Sequence, residues 1–586
     1  MSDPIFTVAL LADTHINPVD GESGSPWRSN RLANARARWA VAALNADEPK
    51  MVFHLGDMVH PLPNQASYAK AANRFQSIFD NLDAPLHCLP GNHDIGDKPG
   101  DWMPAHPVTS KALETYRATF GSLWQSVDHG RCRFILHCNP ILGSGLPEDD
   151  AQWDWLEAQL ANAGDRRVFF LTHYPLFLTE VDEPEHYDNL AWPARARLRG
   201  LLIEHQVEAV FAAHVHTIFH TSFAPEPNIA LQHVLPSVSA MRLDYSYLFR
   251  SPPGAKQEHG RNDAQKLGYY LLDVLPEGYR IRFRRSDGCA LPEQQSHFDP
   301  GAFEGYREDL AKRPIGVDLR HGWAETVAVP YSGVVDEFRR KYVRNDYFIT
   351  ALQEAGIRDL RLPVGDLRDP FMRSRLRDLG QLGHRFQIFT IDDPDAEILS
   401  AMNEIPAISR VEVIARPEAL ASRLEGWRSA LAPDGPALFA SRLWSSADIE
   451  AEAVNFSHGI GHGFFADDTD LMKTISHLAD GAVVRVPARK DPAKILASLA
   501  QSPLRQLVLY VVMASDNPAQ LESDERAQRE RIAAAVNAAR SCSFPVGVMI
   551  DTFDDHDRGY YPRHGLYDAQ FNPRLSAKYL SRFHFS

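Results

Sequence analysis

The sequence predicts an α/β protein in two parts: an N-terminal sandwich with mixed sheets, followed by a C-terminal (β/α)8 barrel of the TIM type. In residues 1–287, short runs rich in Val, Ile and Phe alternate with helical stretches, a pattern typical of layered α/β domains. Beyond residue 345, eight strand-like runs alternate with helical stretches, which is the repeat of a closed parallel barrel. An open doubly wound sheet is the alternative for this second part.

The N-terminal part contains nine runs with the length and the β-branched or aromatic content of strands. Amphipathic helical patterns separate several of them, for example at Arg31–Leu44 and Tyr68–Leu82. The predicted strands are Ile5–Leu11, Met51–Leu55, Leu86–Leu89, Arg133–Cys138, Val168–Leu171, Ala209–Ala212, Gln232–Pro236, Leu267–Val274 and Tyr279–Arg284.

Between the two parts the periodic pattern dissolves in "SDGCALPEQQSHFDPGAFEGYREDLAKRP", which indicates a connection between domains. We therefore expect a first domain at residues 1–287, a connecting segment at 288–345 and the barrel at 346–586. The fifth barrel run is rich in Gly and His rather than in β-branched residues. The eight predicted strands are Asp359–Val364, Arg385–Ile391, Ser409–Ala415, Ala437–Leu443, Ile460–Ala466, Ala482–Pro487, Arg505–Ala514 and Pro545–Phe553.

Composition and charge narrow the possible functions. The formal net charge is −15 and the pI about 5.9, so the chain lacks the basic footprint of a nucleic-acid binder. No apolar run approaches the ~18 residues of a membrane span, and the N-terminus lacks the cationic start of a signal peptide. Five cysteines without paired metal spacing suggest reduced thiols, so we expect a cytoplasmic protein.

Polar side chains follow five of the N-terminal strands directly. These junctions read "DTH" (13–15), "GD" (56–57), "GNHD" (91–94), "TH" (172–173) and "AHVH" (213–216). In open α/β sheets, ligands collect at the carboxyl ends of strands, so the five junctions are expected to converge. The i, i+2 spacing of Asp13 and His15, and of His214 and His216, turns both side chains of each pair the same way from an extended chain.

Asp, Asn and His at such junctions suit two divalent metals about 3.5–4 Å apart. Each metal needs several nitrogen or oxygen ligands, and one carboxylate can bridge the two ions. A ligand set without thiolate is compatible with Mn, Fe or Zn. A single Asp-x-His or His-x-His pair would be weak support, but five polar junctions in this order make a purely structural role very improbable.

The five motifs resemble those of the calcineurin-like metallophosphoesterase family, whose pattern is D-x-H, G-D, G-N-H-D/E, a single His and G-H-x-H. The resemblance covers the N-terminal half and departs from the family at Ala213, where glycine is usual and where we expect slight backbone strain. It implies one metal bound by Asp13, His15, Asp57 and His216, and a second bound by Asp57, Asn92, His173 and His214, with Asp57 as the bridge. It also implies that His93 is the general acid. We expect Asp94 to orient the His93 ring, with a turn-capping role as the alternative.

Four further residues flank these motifs and are predicted to contact substrate. They are Asn17, His60, Arg242 and Tyr245. For each of them an ordinary loop or core role is the alternative.

The predicted function is a metal-dependent phosphoric ester hydrolase, in which water activated by the two metals attacks phosphorus. We favour a phosphodiester of a small molecule as substrate, because "PGNHD" lacks the Arg-Gly-Asn-His form of the Ser/Thr protein phosphatases. We expect no nucleic-acid or membrane partner. The alternatives are a phosphomonoesterase acting on a small phosphorylated metabolite, a non-catalytic metal-binding regulator, or a bifunctional enzyme whose barrel hydrolyses or binds carbohydrate.

The bifunctional alternative depends on acidic residues at the carboxyl ends of the predicted barrel strands. Barrel glycosidases use two such carboxylates. The same residues also fit helix caps and solvated loops. The candidates are Asp366, Asp392, Asp393, Asp467, Asp468 and Asp551.

Overall fold

The structure is a computed structural model. It describes residues 4–582 except 101–102, 104–105, 226–227, 243–244, 246–247, 249–265, 297–313, 320–321, 330–339, 453–460, 489, 505, 514–524 and 556–564. The described residues form two compact units. One contains those of 2–300 and 325–347, and the other contains those of 301–324 and 348–586.

In chain order the strands are β1 (Phe6–Leu11), β2 (Val52–His54), β3 (Leu86–Cys88), β4 (Gln125–His129), β5 (Cys132–His137), β6 (Arg167–Thr172), β7 (Ala209–Ala212), β8 (Phe219–Ser222), β9 (Leu231–Val234), β10 (Gly268–Val274), β11 (Tyr279–Arg285), β12 (Ile315–Asp318), β13 (Thr326–Ala328), β14 (Tyr342–Arg344), β15 (Asp359–Pro363), β16 (Arg385–Thr390), β17 (Ile408–Ala415), β18 (Ala437–Arg442), β19 (Gly481–Val486), β20 (Leu507–Val511) and β21 (Val546–Ile550).

The helices are α1 (Ala33–Asp47), α2 (Tyr68–Phe79), α3 (Asn92–Ile95), α4 (Ser110–Phe120), α5 (Pro147–Ala161), α6 (Ala194–Glu204), α7 (Tyr347–Glu354), α8 (Pro370–Gln381), α9 (Ala396–Glu404), α10 (Pro417–Ala430), α11 (Ser446–Ala451), α12 (Thr469–Ile475), α13 (Pro492–Ser498), α14 (Glu525–Arg540) and α15 (Leu575–Arg582).

The first unit contains two mixed sheets, which confirms the predicted α/β fold with mixed sheets. Their strand orders are β11-β10-β1-β2-β3 and β4-β5-β6-β7-β9-β8. Strands β1, β2 and β3 run parallel, and so do β5, β6, β7 and β9, while the outer strands β10, β11, β4 and β8 pair antiparallel. The parallel strands bring the five polar junctions to their carboxyl ends, where ligands bind in such sheets.

Apolar faces of the helices hold these sheets in place. Phe75 of α2 and Leu44 of α1 pack in one buried cluster with Leu11 of β1. Leu156 of α5 packs in a second buried cluster with Phe170 of β6. Burial of such side chains contributes about 1.5–3 kcal/mol each, so the metal-binding loops extend from a rigid base.

The second unit contains a closed barrel of eight parallel strands, as predicted. Its order is β12-β15-β16-β17-β18-β19-β20-β21, and β12 closes the ring by pairing with both β15 and β21. The first barrel strand is Ile315–Asp318, which the sequence places in the connecting segment. It was missed because four residues containing Gly and Asp do not form an apolar run.

The predicted fifth strand, Ile460–Ala466, is wrong, because its described residues only make isolated bridges. His462 bridges Leu443 in antiparallel fashion and Phe464 bridges Val484 in parallel fashion. Strand β18 pairs directly with β19, so no place remains between them for another strand.

The barrel interior contains a buried network of charged side chains. Arg361 donates through Nε (2.7 Å) and Nη2 (3.1 Å) to Glu412 and through Nη1 (2.9 Å) to Asp318. Gln387 donates to Glu412 at 2.8 Å and the Tyr510 hydroxyl donates to Asp318 at 2.6 Å. All five side chains are buried, and a buried charge is tolerated only when it is paired and hydrogen-bonded.

In the described part of the chain no helix has both the length and the apolar content that crossing a membrane requires. The five cysteines are free, and three of them are buried.

We expect Glu412→Ala to destabilise the barrel strongly, because it leaves the Arg361 guanidinium buried without its main partner. The loss in unfolding free energy is about 3–5 kcal/mol, measured by chemical denaturation of the full chain. The matched control is Glu404→Ala, which removes a half-exposed partner of Arg377 and should cost about 1 kcal/mol or less. Equal losses in the two variants would contradict the proposed dependence of the barrel on this network.

Candidate active site

The backbone at the predicted metal ligands adopts an unusual conformation. Nine non-glycine residues have positive φ among the residues described, and five of the nine are predicted ligands. Such conformations cost of order 1–3 kcal/mol each and persist where a functional arrangement requires them. The five are Asp13 (55°), His15 (42°), Asp57 (56°), His214 (69°) and His216 (61°).

Two glycines let the loops after β2 and β3 approach each other. A Cβ on Gly56, whose φ is +94°, would lie 2.5 Å from the Gly91 nitrogen, and a Cβ on Gly91 would lie 2.2 Å from Asp57 Oδ1. Side chains are therefore excluded at both positions. Asp94 fastens the same loops, because its carboxylate accepts hydrogen bonds from the backbone N–H groups of Asp57, Met58 and Gly91.

The first cluster of predicted ligands consists of Asp13, His15, Asp57 and His216. His15 Nε2 lies 3.1 Å from His216 Nε2 and 3.4 Å from Asp57 Oδ2, and His216 Nε2 lies 3.5 Å from Asp13 Oδ1. Four ligand side chains from three loops, those after β1, β2 and β7, thus lie close together.

The second cluster consists of Asp57, Asn92, His173 and His214. Asn92 Oδ1 lies 3.1 Å from His173 Nε2 and 3.0 Å from His214 Nδ1. His173 Nε2 lies 3.4 Å from Asp57 Oδ1. Asp57 therefore offers one oxygen to each cluster, as a carboxylate that bridges two metals does.

The hydrogen bonds around the clusters fit bound cations. Both carboxylate oxygens of Asp13 are buried without a hydrogen-bond partner, an arrangement that costs free energy unless a cation is present. The Nδ1 atoms of His173 and His216 face the carbonyl oxygens of Leu55 (2.7 Å) and Ala240 (2.9 Å). Each Nδ1 must therefore carry the proton, which leaves the Nε2 lone pair for a metal.

The electrostatics also favour metal binding. Burial lowers the pKa of His214 to about 4 and holds the pKa of His15 well below its usual range, so both rings are neutral. Burial raises the pKa of Asp57, but His173 and His93 outweigh it and keep the pKa well below its usual range. Burial likewise lowers the pKa of His173, but the Asp57 carboxylate raises it to about 9. A metal must therefore displace a proton from His173.

The structure places His93 beside the first cluster. It does not show the predicted contact between Asp94 and the His93 ring. His93 Nδ1 lies 2.6 Å from the carbonyl oxygen of His60, and its ring centroid is 4.5 Å from that of His15. The Asp94 carboxylate instead accepts hydrogen bonds from three backbone N–H groups in the loops after β2 and β3.

The predicted substrate residues lie in different surroundings. The His60 ring is near the site, with its centroid 5.5 Å from that of His93. Asn17 is buried and bonds Asn30 and Asn34. Arg242 and Tyr245 both donate to Asp188 at 2.8 Å.

Asp188 is a residue of the site that the sequence reasoning missed. It is completely buried, and its Oδ1 lies 3.4 Å from His214 Nε2, on the side of the ring opposite Asn92. Lys341, which immediately precedes β14, donates to its Oδ2 at 2.5 Å. Asp188 and its three donors therefore orient His214, the kind of support that fixes a metal-binding imidazole. No local motif signals such a residue.

Ala213, the departure from the family pattern, causes no backbone strain. It is not among the residues with positive φ, and its N–H donates to the His173 carbonyl at 2.8 Å.

Comparison with known proteins agrees with this geometry. Residues 6–217 match the family described as "Calcineurin-like phosphoesterase". Residues 6–217 are a calcineurin-like phosphoesterase domain. The resemblance seen in the motifs is thereby confirmed, and the two ligand clusters of the phosphoesterase domain are its expected sites for two divalent metals.

Curated relatives of this chain include the following three proteins. Serine/threonine-protein phosphatase CPPED1 of Bos taurus is 30% identical over 204 residues, which are 33% of this chain and 61% of the relative. Manganese-dependent ADP-ribose/CDP-alcohol diphosphatase of Bos taurus is 23% identical over 275 residues (37% and 79%). Probable glycerophosphodiester phosphodiesterase GpdQ of Arcobacter nitrofigilis is 26% identical over 226 residues (36% and 73%). The chain spans about three fifths of the length of the CPPED1 relatives.

The acidic residues predicted at the barrel strand ends are engaged in local contacts. Asp551 accepts from the Met513 N–H at 3.0 Å. Asp468 pairs with Arg442, and Asp366 lies 3.4 Å from Trp323 Nε1. Asp392 and Asp393 are exposed. Asp551 is buried and Asp366 is partly buried, but none of these contacts favours glycoside hydrolysis over a structural role.

We expect Mn²⁺ binding by the phosphoesterase domain to weaken as the pH falls, because His173 carries a proton below pH about 9 that the metal must displace. Between pH 7.5 and 6.5 the affinity for Mn²⁺ of the site that contains His173 should drop about tenfold. Isothermal calorimetry in buffers of different ionisation enthalpy measures both the affinity and the released proton. His173→Asn should abolish this proton release, and an affinity independent of pH would contradict the assignment.

Proposed function

We propose that the protein is a metal-dependent phosphoric ester hydrolase whose substrate is a phosphodiester of a small molecule. The observation that carries the proposal is the position of Asp57, which presents one oxygen to each of two converging ligand clusters. Two clusters that share a carboxylate are the arrangement used to clamp a phosphoryl group. The free cysteines support a cytoplasmic location.

The ligand residues fit two divalent cations, for which Asp13, His15, Asp57 and His216 would supply one site, and Asp57, Asn92, His173 and His214 the other. When bound, such ions lower the pKa of water, polarise the phosphoryl oxygens and stabilise the charge of the transition state. The protein holds these ligands rigidly through the left-handed backbone and the Asp94 hydrogen bonds described above. Asp188 adds the orientation of His214.

His93 supplies the proton that the leaving oxygen requires. The His60 carbonyl accepts from Nδ1 at 2.6 Å, so Nε2 carries the proton that is transferred when the ring is an imidazolium. This contact also fixes the ring orientation next to His15. A positioned general acid contributes about 10²–10⁴-fold to the rate.

A diester fits the charges of the site better than a monoester. A phosphodiester carries one negative charge, whereas a monoester carries close to two at neutral pH. Arg242 is the one arginine among the residues predicted to contact substrate, and it is already paired with Asp188. It therefore does not offer its charge to a second negative oxygen.

A phosphomonoesterase is the second candidate function. The name of the CPPED1 relatives, serine/threonine-protein phosphatase, favours it, while the GpdQ name favours a diesterase. The ratio of activities toward bis-(p-nitrophenyl) phosphate and p-nitrophenyl phosphate separates the two, and we expect the diester to be preferred.

We expect Asp57→Asn to lower kcat/KM for bis-(p-nitrophenyl) phosphate at least about 100-fold, because the bridge between the two metal sites is weakened. Activity is measured in Mn²⁺ alongside the metal content of the protein. Asp128→Asn is the control, since Asp128 is a half-exposed carboxylate of β4 paired with Arg133, and it should leave both values unchanged. Full activity in Asp57→Asn would overturn the two-metal proposal.

We expect His93→Asn to affect alkyl esters more than nitrophenyl esters. Nitrophenolate leaves without a proton, whereas an alkoxide requires one, so kcat should fall about 100-fold or more for a dialkyl phosphate and by less for bis-(p-nitrophenyl) phosphate. The control is His205→Asn, at the end of α6. Equal losses for the two substrates would show that His93 is not the general acid.

A further inference from the structure

The carboxyl-end half of the barrel interior is polar, whereas branched apolar residues usually fill a TIM barrel. Seven of the eight strands each place one polar side chain in this layer, and these side chains contact one another directly or through His462. The seven are Asp318 of β12, Arg361 of β15, Gln387 of β16, Glu412 of β17, Ser441 of β18, Arg485 of β19 and Tyr510 of β20.

Arg485 differs from the other charged members of this layer. Arg361 is paired with both Glu412 and Asp318, but Arg485 has no hydrogen bond or ion pair with any of the residues described. Its guanidinium carbon instead lies 5.1 Å from the centre of the Trp444 ring and 5.5 Å from that of Tyr510. It is only 8% exposed.

The two rings beside the Arg485 guanidinium leave its donors available. The N–H groups of a guanidinium lie in its plane and form a fork that matches a carboxylate or a phosphate. Aromatic rings contact the faces of that plane and do not satisfy the donors. No Arg485 nitrogen is among the fully buried atoms that lack a hydrogen-bond partner, so solvent reaches these donors. A dissolved anion can therefore reach them too and would pair with a cation that has no ion pair among the described residues.

Solvent reaches the layer on the side of Arg485. Trp444 and His462 are each 8% exposed, as Arg485 is, whereas the remaining members are at most 4% exposed. Trp444 and Gly463 lie on this side, and Trp444 Nε1 donates to the Gly463 carbonyl at 2.8 Å. A Cβ on Gly463 would lie 2.8 Å from the Arg485 Cβ, so Gly463 lies directly against the base of Arg485.

We propose that the carboxyl end of the barrel binds a small anion, a carboxylate or a phosphate, through the guanidinium of Arg485. The rings of Trp444 and Tyr510 hold the guanidinium in a fixed orientation. The residues of this site all belong to the barrel unit.

A purely structural role for Arg485 makes a different prediction. Asp318 and Glu412 share one cation, Arg361. In a structural role the charge of Arg485 balances the remaining negative charge from a distance, and Arg485→Met destabilises the protein. If Arg485 instead binds an anion, its charge is unpaired while the ligand is absent. Arg485→Met then removes an unpaired charge that is only 8% exposed. The melting temperature of Arg485→Met without added anion should then equal or exceed that of the wild type.

The test uses the full chain loaded with Mn²⁺ and titrated by calorimetry with inorganic phosphate and, separately, with acetate. In Arg485→Met we expect loss of the binding event contributed by the barrel, with affinity at least about tenfold weaker. Phosphate binding at the metal clusters should remain. If Arg485→Met loses only the phosphate binding at the barrel, the ligand carries a phosphate group. If it loses only the acetate binding, the ligand carries a carboxylate, and if it loses both, the site accepts either anion.

Two variants keep the result decisive. Arg368→Met is the matched control, because Arg368 also follows a barrel strand but is exposed and paired with Asp395 and Glu397, and it should bind both anions as the wild type does. Arg485→Lys keeps the charge but not the fork and should bind more weakly than the wild type. Isotherms unchanged in Arg485→Met, a lowered melting temperature, or failure of both Arg485 variants to fold would each overturn the proposal.

Discussion

The Asp57 carboxylate is the constraint on which the phosphoesterase domain depends. Its two oxygens face two ligand clusters, so the loops after β1, β2, β3, β6 and β7 must all meet within a few ångströms of it. This convergence explains why Gly56 and Gly91 tolerate no side chain between their loops. It also explains why Asp57 and four other ligands occupy the left-handed region. The strain is stored at the ligands and is balanced by the apolar packing of the sheets behind them.

Orientation of the ligands is achieved by groups that do not bind metal. Backbone carbonyls select the tautomers of His173 and His216, and a third carbonyl holds His93. The carboxylate of Asp188 orients His214. Asp188 is itself held by hydrogen bonds from Arg242, Tyr245 and Lys341. Lys341 comes from beyond the range that matches the calcineurin-like family, so the active site includes chain that follows the family domain in sequence.

The barrel shows a second solution to the problem of burying charge. In the layer around Arg361, each carboxylate has a cation or a hydroxyl as partner, and the network is closed. Arg485 lies next to this network, and among the described residues its guanidinium has the Trp444 and Tyr510 rings beside it but no ion pair. The Arg361 network is satisfied within the barrel itself, whereas Arg485 would gain its partner from a bound anion.

The sequence by itself determined the class of fold, the barrel and the identity of the candidate metal ligands, because polar residues at strand ends with i, i+2 spacing are visible in a linear pattern. Tertiary structure decided what depends on contacts between distant segments. Asp94 binds backbone rather than His93, Asp188 supports His214, and Ile315–Asp318 replaces Ile460–Ala466 as a barrel strand. In each case the role of a short or polar segment depends on partners far away in the chain. Local sequence propensity does not predict those partners.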